Sequence, residues 1–296
     1  MVAMRSLLLF LALPLFAADQ YLFTSFRSNG ETGVFYAVSP DGFHWTALEK
    51  PFLKPEKPGE LMRDPFVAQG PDGTWHMVWT WGWTGHSLGY ASSKDLVHWT
   101  SHREIEVIHE GLNVWAPEAV YDPKQKEWIL FWSTTIPGRF PDSDKSGDNK
   151  YNHRVYASIT KDWQSFSPAK LWFDPGFNCI DATVVQSGKQ WVMIFKDERK
   201  DPLQKKLRLA FADSPAGPWK NVTEPFTSDW VEGPTAIQID GWWTIYFDHY
   251  AKPQHYGAVR TKDWKNFEDV TGQMEFPAGQ RHGTVVKIRS GMIPAP

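Results

Sequence analysis

A single cysteine, Cys179, stands in a chain of 296 residues, so no intramolecular disulfide can form and no CxxC metal or redox motif exists. Stability must come from packing. Basic residues do not outnumber acidic ones: Lys and Arg total 31 against 34 Asp and Glu, a formal net charge of −3. No basic run is interleaved with aromatics in the way a nucleic-acid footprint requires, so nucleic acid is not an expected partner. Long apolar runs are missing too. The one candidate lies in residues 1–18, MVAMRSLLLFLALPLFAA, where about eleven apolar residues are too few to span a membrane. With Arg5 before it and small residues after it, the segment has the layout of a secretory signal peptide. The expectation is a secreted or periplasmic protein with no membrane partner, in which residues 19–296 form one domain.

Aromatic residues are what the chain has in excess. Its 17 Trp call for a large core, a stacking cleft, or both. Many sit in a repeat: FYAVSPDGFHW at 35–45, GYASSKDLVHW at 89–99, VYASITKDWQSF at 155–166, LAFADSPAGPW at 209–219 and GAVRTKDWKNF at 257–267. Each is a strand, then a turn of Asp with Pro, Gly or Lys, then an aromatic able to cover a strand edge. Aromatic-rich strands precede the last four, as in TWHMVWTW (74–81) and WWTIYFDH (242–249). In front of these come opening strands, DPFVAQ at 64, APEAVYD at 116, DATVVQS at 181 and EGPTAIQI at 232. The N-terminal copy, with YLFTSF (21–26) and GVFYAV (33–38), lacks an opening strand, whereas RHGTVVKI (281–288) is an opening strand with nothing after it. Joined, the two termini complete a fifth unit and leave no free sheet edge. The repeats, spaced roughly 50 to 65 residues apart, predict an all-β, five-bladed β-propeller whose last blade is closed by N-terminal strands plus the C-terminal inner strand.

In such a fold the first strand of each blade lines the central channel, so the heads of those strands converge. Read as equivalent positions, they carry Asp64, Glu118, Asp181, Glu232 and His282. Gathering carboxyl groups is costly, because each raises the pKa of the next and burial adds to it, which argues for chemistry at that point. One carboxylate activating water and a second carboxyl delivering a proton would hydrolyse a glycosidic bond. The same ring of acids offers a place for Ca2+ in the channel, with His282 as ligand directly or through water. Trp83 and Trp115 are the indoles placed to stack on a sugar. Lys196 and Asp248, at the ends of second strands, read as core-edge salt bridges, with the funnel as the alternative.

The motifs RDPF, WAPE, IDATVV, EGPT and RHGTVV, in this order, resemble the inner strands of glycoside hydrolase family 43, over essentially the whole chain after residue 18. That resemblance implies a five-bladed propeller acting with inversion on arabinose- or xylose-containing glycans. Asp64 would be the general base, Glu232 the general acid, and Asp181 the residue that orients Glu232 and raises its pKa. His282 matches the family's axial histidine, and Arg281 beside it would bind sugar hydroxyls or pair with an acid. Glu118 departs from the Asp more frequent in that motif, and either shapes the pocket or caps a strand. The expected activity is release of terminal α-L-arabinofuranosyl units by a monomer that requires no cofactor. Alternatives are β-xylosidase, exo-β-galactosidase, or a non-catalytic carbohydrate-binding propeller.

Overall fold

In the computed structural model, residues 19–146 and 150–294 are described; the signal peptide read at 1–18 lies outside them, as do residues 147–149 of the long loop that links the strand ending at Thr134 to the one beginning at Arg154. Five antiparallel sheets surround one axis. The first contains β1 (Asp19–Phe26), β2 (Val34–Ser39) and β3 (Thr46–Ala47), and the second β4 (Arg63–Gln69), β5 (Trp75–Thr80), β6 (Ser87–Ser93) and β7 (Arg103–Glu106). The third holds β8 (Trp115–Asp122), β9 (Glu127–Thr134), β10 (Arg154–Thr160) and β11 (Lys170–Phe173), and the fourth β12 (Cys179–Ser187), β13 (Gln190–Asp197) and β14 (Lys206–Ala212). The fifth has β15 (Val231–Ile239), β16 (Trp242–His249), β17 (His255–Thr261) and β18 (Glu268–Asp269). Among the described residues the only helical turns are two short 3-10 segments.

The last strand, β19 (Val285–Arg289), returns to the first sheet as its innermost member, in the order β19-β1-β2-β3. It pairs antiparallel with β1, Phe23 opposite Val285 and Asp19 opposite Arg289. The ring is therefore closed by both ends of the chain, as the split repeat predicts. The fourth sheet has three strands; beside β14 runs an irregular segment, held by mutual Phe211 and Lys220 backbone bonds and by Thr223 and Phe226 amides donating to Leu209 and Leu207.

Neighbouring sheets face each other, so middle strands are buried on both sides. VFYAVS in β2 and WHMVWT in β5 have no exposed position, the continuous pattern of a strand with no solvent face. Five apolar clusters result, one per blade interface, holding Trp75 and Trp79 in one, Trp128, Trp132 and Trp163 in the next, Trp191 in a third, Trp45 in a fourth and Trp264 in the last, with Trp81, Trp99, Trp172, Trp219 and Trp243 packed against them. An indole removes ~150–250 Å2 from water, worth roughly 4–6 kcal/mol before entropy is set against it. This is the packing that stands in for disulfides.

Four inner strands break register at the same place, between Arg63 and Phe66, Trp115 and Glu118, Ile180 and Thr183, and Glu232 and Thr235. Each break is a bulge whose first residue is left-handed: Asp64 (φ 52°), Ala116 (φ 45°), Asp181 (φ 52°) and Gly233 (φ 57°). A left-handed non-glycine residue is strained by about 1–3 kcal/mol and marks a place where the fold re-aims a side chain. At Gly233 the hydrogen is also required, since a Cβ there would lie 2.3 Å from the His282 ring.

Candidate active site

The bulges correct the equivalence read from the sequence. Asp64 and Asp181 occupy the bulge itself, but Glu232 is the last paired residue before its bulge and Glu118 the first after it. Strict alternation fails across an inserted residue, so the five groups do not form a flat ring. Asp64, Asp181, Glu232 and His282 still share one cavity of about 230 Å3, lined also by Arg63, Thr80, Trp83, Trp115, Ile180, Lys196 and Glu198. Glu118 is buried and off that wall.

His282 binds the two bulge acids together. Its Nδ1 stands 3.4 Å from Asp64 and 3.9 Å from Asp181. Burial opposes a charged ring, yet the carboxylates of Asp181 and Asp64 outweigh it and raise the imidazole to about 9. Reciprocally, burial would raise Asp64, but His282, Arg63 and the Thr80 hydroxyl hold it down at about 2. Thr80 donates to Asp64 at 2.7 Å and accepts the Ala116 amide at 2.8 Å, tying the second blade to the bulge of the third. Among the described residues no three His, Cys, Asp or Glu groups are arranged to hold a metal ion. His282 turns its Nδ1 to the two carboxylates, with Gly233 against its ring, and as an imidazolium it supplies positive charge there.

Glu232 is held by two cations, one on each oxygen. Lys196 Nζ lies 3.1 Å from Oε2, and an Arg281 terminal nitrogen 3.1 Å from Oε1. Arg281 is fixed in turn by the buried Asp248, its Nε donating at 2.6 Å, so it pairs with two acids and is not among the residues lining the cavity. Lys196 meets both readings of its position: it is ion-paired and it lines the cavity. Its charge also opposes the rise expected from Asp181. Burial favours a neutral Glu232, but Lys196, Arg281 and His282 overcome it and the carboxyl lies below the ordinary 4.5. Asp181 is the group displaced upward, to about 6, first by burial and then, against His282, by the charge of Glu232. Asp181 accepts the Gly233 amide at 3.1 Å, which anchors the backbone adjoining Glu232.

The two indoles singled out in the sequence both line the cavity. Trp83 is 46% exposed, and the Trp115 indole N–H donates to its carbonyl at 3.1 Å. Arg63 stacks on Trp83 at 4.3 Å, and the end of the long loop places Tyr151 4.7 Å and His153 5.0 Å from Trp115. Thr80 and Glu198 went unnoticed in the sequence, where the ends of second strands were the available signal. Of these ends, Asp248 does form the buried salt bridge expected of it.

The arrangement offers an ionised carboxylate, a second carboxyl across the same cavity, and an aromatic rim. Residues 17–291 match the model of a family described as “Probable glycosyl hydrolase domain”, related to glycoside hydrolase family 43. An α-L-arabinofuranosidase of Bifidobacterium longum is 26% identical over 166 residues, covering 47% of this chain; the matched stretch is 15% of that enzyme's length. Among solved structures, the endo-1,4-β-xylanase of Bacteroides thetaiotaomicron superposes with a TM-score of 0.62 at 13% identity, over 90% of this chain and 93% of that one. The α-L-arabinofuranosidase of Lactobacillus brevis does so with 0.53 at 18% identity, over 71% and 72%. At such identities these likenesses show the propeller fold.

Proposed function

The chain belongs to the glycosyl hydrolase family related to family 43, and from that membership we propose an exported, inverting glycosidase that releases terminal α-L-arabinofuranosyl units from plant polysaccharides or oligosaccharides. The observation that carries the reading is the single cavity into which Asp64, Asp181 and Glu232 project. Its 230 Å3 fall below the ~300–1,000 Å3 of sites for drug-sized ligands, which suits one sugar ring and end-wise release. The arabinofuranosidase names of two relatives support the pentosyl choice.

In this reading Asp64, ionised at every physiological pH, takes a proton from the attacking water. Glu232 gives a proton to the leaving oxygen, and Asp181 fixes the backbone beside it. Trp83 and Trp115 hold the sugar's apolar face.

Purified protein is to be incubated with nitrophenyl α-L-arabinofuranoside, β-D-xyloside and β-D-galactoside, beside Asp64→Asn and Glu232→Gln. We expect release from the arabinoside, reduced roughly 10²- to 10⁴-fold in either variant, with an inverted anomer as the first product seen by proton NMR. Release from another glycoside alone would replace the substrate. Silence on all three, with oligosaccharides bound equally by wild type and variants, would make this a binding module.

A further inference from the structure

The two cations on Glu232 are not equivalent. Arg281 is anchored behind the acid by Asp248 and does not face the cavity. Lys196 faces the cavity and has a second partner ready: its Nζ lies 2.7 Å from Glu198 Oε2, nearer than to Glu232. The Tyr250 ring covers the ammonium at 4.4 Å, and Lys205 holds the other Glu198 oxygen at 2.5 Å. Lys196 is 2% exposed, so its charge must be partnered wherever it goes.

We propose that Lys196 is a displaceable counter-ion: a leaving-group oxygen entering beside Glu232 takes its place, Lys196 falls back onto Glu198, and Glu232 then takes up from solvent the proton it delivers. The inference rests on the glycosidase reading and adds a positioning residue to it. It resolves a conflict in the free protein, where a general acid must be protonated but its two cations keep it ionised. Removing one cation from a buried carboxylate leaves burial and the neighbouring anions to raise its pKa. The groups facing Glu232 are all in place for this: Asp181 across the cavity, Asp248 and Tyr250 from β16 and its end, Glu198 and Lys196 from β13 and beyond, and Arg281 and His282 ahead of β19. Once Lys196 leaves, Arg281 keeps the carboxyl oriented.

The contact can be read directly. In the full chain labelled with 13C at glutamate Cδ, the Glu232 resonance is assigned by its loss in Glu232→Gln and followed against pH. Lys196→Met is expected to raise its midpoint by about one unit or more, and Lys196→Arg to restore it. Glu198→Gln removes the fallback and a nearby negative charge, so the midpoint is expected to fall. On a cleaved glycoside, the alkaline limb of kcat/KM, which reports the free enzyme, should lie below that of kcat, which reports the complex, and Lys196→Met should bring the two together. A midpoint that stays within about 0.3 unit in Lys196→Met, or wild-type limbs that coincide, overturns the proposal. The titration needs no substrate, so an inactive enzyme counts against the glycosidase reading and a stationary midpoint against Lys196.

Discussion

Glu118 shows at the scale of one residue how far the fold departs from what its carboxyls prefer. It is 4% exposed, and burial, with Asp181 adding to it against Thr183 and His282, pushes its carboxyl up to about 8. Unfolded, the group would titrate near 4.5. Between those values the folded chain holds a proton that the unfolded chain has released. The stabilising contribution is therefore complete below pH 4.5, declines as pH rises, and levels off above about 8. Glu118→Gln keeps the neutral shape and removes the titration. Its stability relative to wild type should rise from pH 5 to pH 8 by up to the order of 1 kcal/mol per unit, measured as urea midpoints at both values. An unchanged difference between the two would mean that the carboxyl is ionised in the folded protein.

At the scale of elements, the turn after the third strand recurs with one hydrogen-bond scheme in four of the five blades. Asp41, Asp95, Asp162 and Asp263 each accept two backbone amides through one oxygen, and the Ser or Thr two residues before accepts the amide following the Asp. The next residue is left-handed in all four: Gly42, Leu96, Trp163 and Trp264. Where it is Trp264 the side chain fills the last interface, 5.2 Å from Trp243 and donating to Ser187 at 2.9 Å. Trp264→Ala is expected to cost about 3–5 kcal/mol, read from the urea midpoint; a loss below about 1 kcal/mol would show that the interface closes over the gap. These turns and the strands between them were legible because turn chemistry and buried period are local. The inner-strand bulges were not. They follow from how blades meet at the axis, so the sequence brought Asp64, Asp181 and Glu232 together, while the register of Glu118 and Glu232 and the contact of Lys196 with Glu232 had to come from the fold.

For the whole molecule, the closing strand carries more than its five residues suggest. Ile288 packs in the cluster between the first and second blades, with Leu22 and Ile293, and Val285 in the cluster between the fifth and first, with Phe23. Removing β19 would thus open two of five interfaces and bare the edge of β1, and an unpaired apolar edge invites association. A chain ending at Thr284 keeps Arg281 and His282 in sequence but loses the ladder that follows them. It should lose cooperative thermal unfolding and the near-UV signal of its packed indoles, and a peptide of residues 281–296 added in trans should restore part of both. A cooperative transition within about 5 °C of the full chain would show that the remaining blades close without the seam. Arg281 is held between Glu232 and Asp248, and His282 between Asp64 and Asp181. The ring closure that stabilises the fold therefore also delivers the charges that set the state of its acids, and stability and carboxyl titration should fail together in the truncated chain.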